Sequence, residues 1–235
     1  MKEKATPDGV VDKVKARVVA GGIQQDKSIY TLDETSSPTV STAAVLVTMA
    51  IAAHEGRHVM TMDVETAYLN AKMIDDKNWS SRKGAVTVKL DKALYRCVES
   101  AVLWYKNLRS TLEFDWYEVN PCDLRVFNKN YKGKQIAVIY HVDDLVASCV
   151  FEEGLAKLYE VLIKKYEKVK VTRGERRRYL GMIADFQQPG VAVIRIPGFM
   201  LDLMKEYGVE TFSTTPAGEI LFDVKGSPPL SIPDA

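Results

Sequence analysis

Two adjacent aspartates, Asp143 and Asp144, lie between two apolar runs rich in β-prone residues. Such runs predict strands, and the polar pair between them predicts the turn of a β-hairpin. Two like charges at a tight turn repel each other, and a divalent cation would remove that repulsion. The stretch therefore predicts a metal site on a hairpin; the alternative is a surface turn that happens to hold two acids.

A third carboxylate, Asp63, lies at the end of a predicted strand that begins at His58. Strand ends are common positions for catalytic ligands in sheet-based enzymes, although aspartates that cap turns or helices are more frequent. If this strand neighbours the Asp143-Asp144 hairpin in one sheet, the three carboxylates supply the hard oxygen ligands that Mg²⁺ prefers. Two such ions about 4 Å apart would support in-line displacement at phosphorus.

Two groups of basic residues are candidates for binding anions. After the turn signal Pro7-Asp8-Gly9, Lys15 and Arg17 share one face of a predicted strand and could hold a triphosphate together. Residues 164–178 contain eight basic and two acidic residues, which indicates a surface for nucleic-acid phosphates. For both groups the alternative is a solvated face. The candidates for backbone contact in the second group are Lys170, Arg173, Arg176, Arg177 and Arg178.

The composition is typical of a globular protein with a real core, since 46% of the 235 residues are hydrophobic and the net charge is +1. Any nucleic-acid surface must therefore be local. The cysteines Cys97, Cys122 and Cys149 are widely spaced, which argues against a zinc site or a disulfide framework and indicates a reducing compartment. The longest apolar run, residues 43–53, is too short for a membrane span, and no signal peptide is evident, so no membrane partner is expected.

Hydrophobic patterning predicts the elements that position these residues. A helix from Thr42 to about His54, capped by Ser41, is apolar nearly all round and is expected to be buried. Further helices are predicted over 100–113, 151–167 and 199–207. With the strands between them, these elements predict the α+β class.

Short segments along nearly the whole chain match, in order, the motifs of one known family. Lys13–Ala20 resembles K-A-R-L-V-A, Met62–Asn70 resembles L-D-V-K-T-A-F-L-N, Leu90–Tyr95 resembles L-x-K-A-L-Y, Trp104-Tyr105 matches a paired aromatic, Val142–Asp144 matches the core of Y-V-D-D, Arg178–Gly181 resembles Y-F-L-G, and Thr215-Pro216 matches a terminal T-P. Each match alone is weak. Their shared order and spacing resemble the reverse transcriptase of copia-type LTR retrotransposons.

The resemblance implies a right-hand polymerase fold of palm and fingers, in which an antiparallel sheet carries the catalytic aspartates and helices pack on one face. It implies a reverse transcriptase domain over residues 1–218, with at most the start of a thumb. Lost periodicity and the prolines Pro228, Pro229 and Pro233 predict a flexible tail or linker stub over residues 219–235. No RNase H domain is expected in this chain.

The implied activity is that of an RNA-directed DNA polymerase, which adds deoxynucleotides to a primer 3′-hydroxyl by two-metal phosphoryl transfer. The resemblance makes Asp63, Asp143 and Asp144 the catalytic and metal-binding residues, for two Mg²⁺ ions or for Mn²⁺ in their place. The implied partners are an RNA or DNA template with its primer, deoxynucleoside triphosphates, and other polyprotein products such as integrase, RNase H and capsid. The implied location is intracellular, in cytoplasmic virus-like particles and in the nucleus.

The resemblance also assigns a nucleotide site. Lys15 and Arg17 would contact the triphosphate, and Tyr68 would be a steric gate that crowds a ribose 2′-hydroxyl. Glu99 would lie beside the incoming nucleotide, in the segment that matches Y-G-L-K-Q-S. The substitutions in that segment are Arg96 for glycine, Val98 for lysine and Glu99 for glutamine.

One further substitution lies beside the aspartate pair. His141 stands where the Y-V-D-D motif has its tyrosine, and His141 and Val142 are expected near the primer end. Aligning Tyr140 with the motif instead would require a one-residue insertion, which would turn every side chain of the strand to the other face.

Two other functions remain open. The substitutions favour a catalytically inactive relic that keeps the fold and weak nucleic-acid binding. A Mg²⁺-dependent hydrolase on an unrelated sheet is the third hypothesis, and it would leave Lys15, Arg17 and Tyr68 without a role.

Overall fold

The computed structural model describes residues 2–5, 11–15, 19–73 and 90–208, with the backbone alone over the first two ranges. The strands are β1 (Lys2–Ala5), β2 (Val11–Lys15), β3 (His58–Val64), β4 (Glu118–Asn120), β5 (Asp123–Tyr131), β6 (Lys134–His141), β7 (Asp144–Cys149), β8 (Val169–Thr172), β9 (Arg176–Tyr179), β10 (Met182–Asp185) and β11 (Val193–Arg195). The helices are α1 (Leu32–Thr35), α2 (Thr42–His54), α3 (Ser100–Phe114), α4 (Glu152–Tyr166) and α5 (Pro197–Glu206).

The chain divides into two compact units, Met1–Arg195 and Ile196–Ala235. The first contains a six-stranded antiparallel sheet in the order β4-β5-β6-β7-β3-β8, a three-stranded sheet in the order β11-β10-β9, and the β1-β2 hairpin. The second contains α5. This mixture of helices and antiparallel sheet confirms the predicted α+β class. None of the described helices is long and apolar enough to span a membrane.

The strand predicted to carry Lys15 is confirmed as β2, which pairs with β1 in a hairpin where Lys2 lies opposite Lys15. Its predicted turn, Pro7-Asp8-Gly9, lies outside the described residues, as does Arg17. The predicted tail over residues 219–235 also lies outside them.

The six-stranded sheet has a hydrophobic core on each face because its side chains alternate between the faces. One core joins the sheet to α3 and α4, through residues that include Met60, Met62, Tyr140, Leu145, Leu108, Leu112, Leu158 and Leu162. The other joins the sheet to α2, β9 and β10, through Val59, Val126, Ile139, Val146, Val45, Met49, Ala52, Tyr179 and Ala184. The expectation that helices pack on one face is therefore wrong for α2, because a sheet with an apolar stripe on both faces needs a cover on both.

Helix α2 has the predicted bounds, and the Ser41 hydroxyl accepts a hydrogen bond from the backbone N–H of Ala44 at 3.1 Å, as an N-cap does. The prediction that α2 is buried all round is wrong. Leu46 is 43% exposed, Val47 57% and Ile51 39%. Only one side of the helix lies on the sheet. A helix that is apolar on every side does not by its composition indicate how many of those sides other elements cover.

The segment before α3 packs on an earlier loop. The backbone N–H of Ala20 donates to the Tyr95 carbonyl at 2.8 Å, and the Gln25 side-chain oxygen accepts from the backbone N–H of Val98 at 2.8 Å. At Gly22 an added Cβ would lie 1.8 Å from the Arg96 carbonyl oxygen, so this approach requires glycine. Arg96 has φ +70°, a left-handed conformation that favours the glycine found at this position in the family motif.

An Arg96→Gly variant is expected to be more stable than wild type by about 0.5 to 1 kcal/mol, because relief of the left-handed strain exceeds the entropy that glycine adds to the unfolded chain. The Arg96 side chain is exposed, so its loss removes little packing. Urea denaturation measures the difference. Arg96→Ala is the control, since it shortens the side chain and keeps the strain; equal stability of the glycine and alanine variants would contradict the explanation.

Candidate active site

The strand register brings Asp63 and Asp144 together. Strand β3 is hydrogen-bonded to β7 with Asp63 directly opposite Asp144, and Asp144 is also opposite His141 on β6. On its other side Asp63 is opposite Lys170 of β8. Residues directly opposite in antiparallel strands share a face. A row of two carboxylates between a histidine and a lysine therefore crosses four strands at one end of the sheet.

The hairpin turn consists of Val142 and Asp143, one residue earlier than the predicted Asp143-Asp144 turn, because Asp144 already belongs to β7. Val142 has φ +57°. Two hydrogen bonds hold the turn: the indole N–H of Trp104 donates to the Val142 carbonyl at 2.5 Å, and the backbone N–H of Val64 donates to the Asp143 carbonyl at 3.0 Å. The second bond places the backbone of Asp143 beside the end of the strand that carries Asp63.

The three carboxylates interact electrostatically. The pKa of Asp144 is raised above its usual value, first by the protein atoms around it and then by the negative charges of Asp143 and Asp63, while His141 opposes the rise. Burial also raises the pKa of Tyr68, with a further contribution from Asp143. Asp143 is therefore close to both its neighbouring aspartate and the tyrosine.

The donor set fits a hard divalent cation, although the side chains are not gathered around one point. Within the described ranges, no three His, Cys, Asp or Glu side chains form a ready-made metal site. Burial raises the pKa of Asp144, and the charges of Asp143 and Asp63 raise it further. Cations favour such a set because they replace the repulsion with oxygen coordination, so these side chains would have to close around bound ions.

Tyr68 lies next to this row in a short helical turn, Ala67–Asn70, that follows β3. Thr66, just before it, has φ +55° and reverses the chain. The Tyr68 ring packs on Tyr95 with 4.7 Å between centroids, and the residue is half-buried. The structure thus brings the predicted gate residue to the aspartates, while the side chains of Lys15 and Arg17 are not among those described.

The register supports the alignment of His141 with the motif's tyrosine. Tyr140 is fully buried on the opposite face, where its ring lies 5.8 Å from that of Phe127 and 6.2 Å from that of Tyr105. His141 is partly exposed on the aspartate face. Tyr140 is therefore a core residue.

Glu99, the predicted nucleotide contact, lies in the interior of the protein. Glu99 is 6% exposed, and its Oε2 is buried without a hydrogen-bond partner. The pKa of Tyr30 is raised by burial and then by a hydrogen bond to Glu99. The carboxylate is therefore turned into the protein, against the loop that contains Tyr30, and no local pattern in the sequence indicated that partner.

Arg177, one of the predicted phosphate contacts, is also buried. Arg177 is 2% exposed, and its guanidinium donates from Nη2 at 2.8 Å and from Nε at 3.2 Å to the Val59 carbonyl. The period-2 alternation of β9 explains this, since Arg176 and Arg178 point outward while Arg177 and Tyr179 point inward. That alternation was a usable sequence signal.

The other predicted backbone contacts are exposed. Arg176 pairs with Asp185 at 2.8 Å and Arg173 with Glu152 at 3.1 Å. Lys170 pairs with Glu65, and the Lys170 pKa is raised by that partner and further by Asp63. Surface pairs of this kind are weak and exchange readily for a phosphate, so these residues and Arg178 stay candidates.

Two residues near the site were not singled out for such roles from the sequence. Trp104 was noted only as part of a paired aromatic, and the structure adds its bond to the Asp143-Asp144 hairpin. Arg125 is 3% exposed, with its guanidinium 4.5 Å from the Tyr140 ring centroid and 5.1 Å from that of Tyr105. It also donates to the Ser37 hydroxyl, and burial lowers its pKa. A lone arginine in a strand pattern gave no signal of this environment.

Known proteins resemble this chain over most of its length. It is 28% identical over 152 residues to the "Retrovirus-related Pol polyprotein from transposon RE1" of Arabidopsis thaliana, which covers 61% of this chain and 10% of that protein. It is 26% identical over 189 residues to the corresponding polyprotein from transposon TNT 1-94 of Nicotiana tabacum, with 77% and 14% covered. The chain thus spans only a small part of these relatives.

A solved structure of apo telomerase from Candida tropicalis, truncated from its C-terminal domain, is similar with a TM-score of 0.40 and 9% identity, over 66% of this chain and 40% of that one. The family model described as "Reverse transcriptase (RNA-dependent DNA polymerase)" matches residues 1–217. Since that match covers nearly the whole chain, and the relatives are Pol polyproteins of copia-type elements, this chain belongs to the reverse transcriptase family as a domain of the copia retrotransposon type.

Proposed function

We propose that this chain, over residues 1–218, is an RNA-directed DNA polymerase that adds deoxynucleotides to a primer 3′-hydroxyl. The observation that supports it most is the register that sets Asp63 opposite Asp144, with Asp143 in the adjoining turn. These three residues would hold the divalent ions, Mg²⁺ or Mn²⁺. Ions held by these residues would supply a lowered pKa for the attacking hydroxyl and charge stabilisation for the transferred phosphoryl group.

The sheet face that holds the aspartates would be the floor of a palm, supported from behind by α3 and α4. The β1-β2 hairpin would belong to the fingers, where Lys15 and Arg17 would contact the triphosphate. His141 and Val142 would lie beside the primer end, because they are on the same hairpin as Asp143 and Asp144.

Exposed cations continue from this face toward β9. Lys170 lies on the aspartate face opposite Asp63, and Arg173, Arg176 and Arg178 follow on the surface. We propose that they contact the phosphates of a template–primer duplex, since a basic side chain that neutralises a phosphate releases the counterion condensed there. By analogy with the Pol relatives, the chain would act beside other polyprotein products.

The test is primer extension on an RNA template with Mg²⁺, with Asp143→Asn as the control. Extension that requires Mg²⁺ and is lost in the variant supports the proposal, whereas extension that survives the substitution would exclude the metal assignment. Template–primer binding, even if weak, without extension by wild type would favour the inactive relic. The burial of Glu99 under Tyr30 is the observation that favours the relic, since it withdraws a polar side chain from the expected nucleotide pocket.

A Tyr68→Val variant is expected to incorporate ribonucleotides about 10- to 100-fold more readily relative to deoxynucleotides, because a smaller side chain beside Asp143 leaves room for a 2′-hydroxyl. Single-nucleotide extension with paired dNTP and rNTP concentrations gives the ratio. Tyr95→Val is the matched control, since it removes the ring that packs at a tilt against Tyr68. A ratio that changes equally in both variants would show loss of packing rather than loss of a gate.

A further inference from the structure

We propose that Trp104 is a positioning residue for the metal-binding hairpin: its indole N–H holds the Val142 carbonyl and so fixes where Asp143 and Asp144 stand relative to Asp63. The proposal rests on the function proposed above for the three aspartates. The indole nitrogen of Trp104, a buried residue, lies 2.5 Å from the carbonyl oxygen of Val142, in the segment that would carry catalysis.

The turn needs such a bond because its conformation is unfavourable for its sequence. Val142 is β-branched and has φ +57°, a region that such residues rarely adopt. A chain left to itself would relax this residue toward a negative φ, which would rotate the next peptide and move Asp143. The Val142 carbonyl, bonded to Trp104, is the group that such a rotation would displace first.

The indole is itself held rigidly. Trp104 is 1% exposed in α3, and its ring meets that of Tyr166 in α4 edge to face, with centroids 5.1 Å apart. The Tyr166 hydroxyl donates to the Asn107 side chain at 2.9 Å and lies 2.9 Å from the Thr111 hydroxyl. Both helices under the sheet therefore fix the orientation of the one N–H donor that the indole offers.

The turn is bonded from two directions. Trp104 reaches the Val142 carbonyl from the helix layer, and the backbone of Val64 reaches the Asp143 carbonyl from β3, the strand of Asp63. Loss of the indole donor would leave the bond from Val64 and release the other half of the turn. The predicted consequence is a looser Asp143-Asp144 pair within an intact fold.

The variant Trp104→Phe tests this, because it keeps an aromatic ring against Tyr166 and removes the donor. Hydrogen exchange measured by mass spectrometry is expected to be about 10-fold faster for the amides of Val142, Asp143 and Asp144, the size of effect that one lost hydrogen bond produces. The Mg²⁺ concentration that half-saturates primer extension should rise several-fold while the KM for dNTP stays unchanged.

Tyr166→Phe is the matched control, since it loses a hydrogen bond in the same aromatic pair and leaves the indole donor in place. Exchange at the turn that is unchanged in Trp104→Phe, or raised equally in Tyr166→Phe, would overturn the proposal. If Trp104→Phe does not fold, NMR measurement of indole proton exchange in the wild-type protein tests the proposal. The Trp104 indole proton should then exchange with water far more slowly than that of Trp116, which is 83% exposed, and equal rates would overturn the proposal.

The polymerase function and the positioning role of Trp104 can be refuted independently of each other. A wild-type protein that shows no extension, yet has a protected indole and a turn that loosens in Trp104→Phe, would refute the polymerase function and keep the positioning bond. An active enzyme whose exchange and Mg²⁺ requirement do not respond to Trp104→Phe would refute the positioning role alone.

Discussion

An Asp144→Asn variant is expected to lose primer extension by roughly 10³-fold and, in the presence of a chelator, to be more stable than wild type. Asp144 lies opposite Asp63 and next to Asp143, so the charge that would bind a cation also repels its neighbours. Asparagine keeps the size of the side chain and removes the charge. Extension assays and thermal denaturation in EDTA measure the two effects.

The difference in stability between Asp144→Asn and wild type should depend on pH with a defined sign. The folded-state pKa of Asp144 is raised above its ordinary 3.8, so the folded protein binds this proton more tightly than the unfolded chain does. Its contribution to stability is complete below the unfolded pKa and is lost as pH rises through the folded pKa. Wild type should therefore lose stability relative to Asp144→Asn from about pH 4 upward until Asp144 is fully ionised.

Mg²⁺ should make wild type more stable than Asp144→Asn. Ligand binding to the folded state raises the denaturation temperature of wild type, and the variant has lost one of the carboxylates that would bind the ion. Asp91→Asn is the control, since Asp91 is an exposed aspartate on another segment. Equal stability of wild type and Asp144→Asn in EDTA at neutral pH would contradict the explanation, which is that burial and the charges of Asp143 and Asp63 disfavour the ionised Asp144.

An Arg177→Met variant is expected to lose about 2 to 4 kcal/mol of unfolding free energy, because methionine leaves the buried Val59 carbonyl without its charged donor. Arg178→Met, one residue along the same strand, should change stability by less than about 0.5 kcal/mol because Arg178 is exposed. Chemical denaturation of the two variants under the same conditions gives the comparison.

The same pair separates folding from nucleic-acid binding. Arg178→Met should weaken template–primer binding and reduce the salt dependence of log K by about one unit, if Arg178 contacts one phosphate. Arg177→Met, measured at a temperature at which it is folded, should leave that salt dependence unchanged. The opposite pattern would contradict the assignment of Arg177 to the fold and Arg178 to the surface.

The elements of this protein were largely predictable because their signals are local. The Ser41 cap and the apolar run behind it defined α2, and the spacing of apolar residues placed α3 and α4 within about one residue. Strand bounds depend on pairing partners, and β8, for which no strand was predicted, forms only because β3 offers it an edge. Likewise the exposure of Leu46 and Val47 depends on what packs on α2.

The sequence was enough to predict the family, the strands that carry Asp63 and Asp144, and the three candidate aspartates, since motif order and period-2 patterning are properties of the chain. Tertiary structure alone decided that Asp63 and Asp144 are directly opposite, that Glu99 is turned under Tyr30, and that Trp104 bonds the Val142 carbonyl. Each of these joins residues at least 38 positions apart. Such contacts are set by sheet register and by packing between elements, which no local pattern of residues encodes.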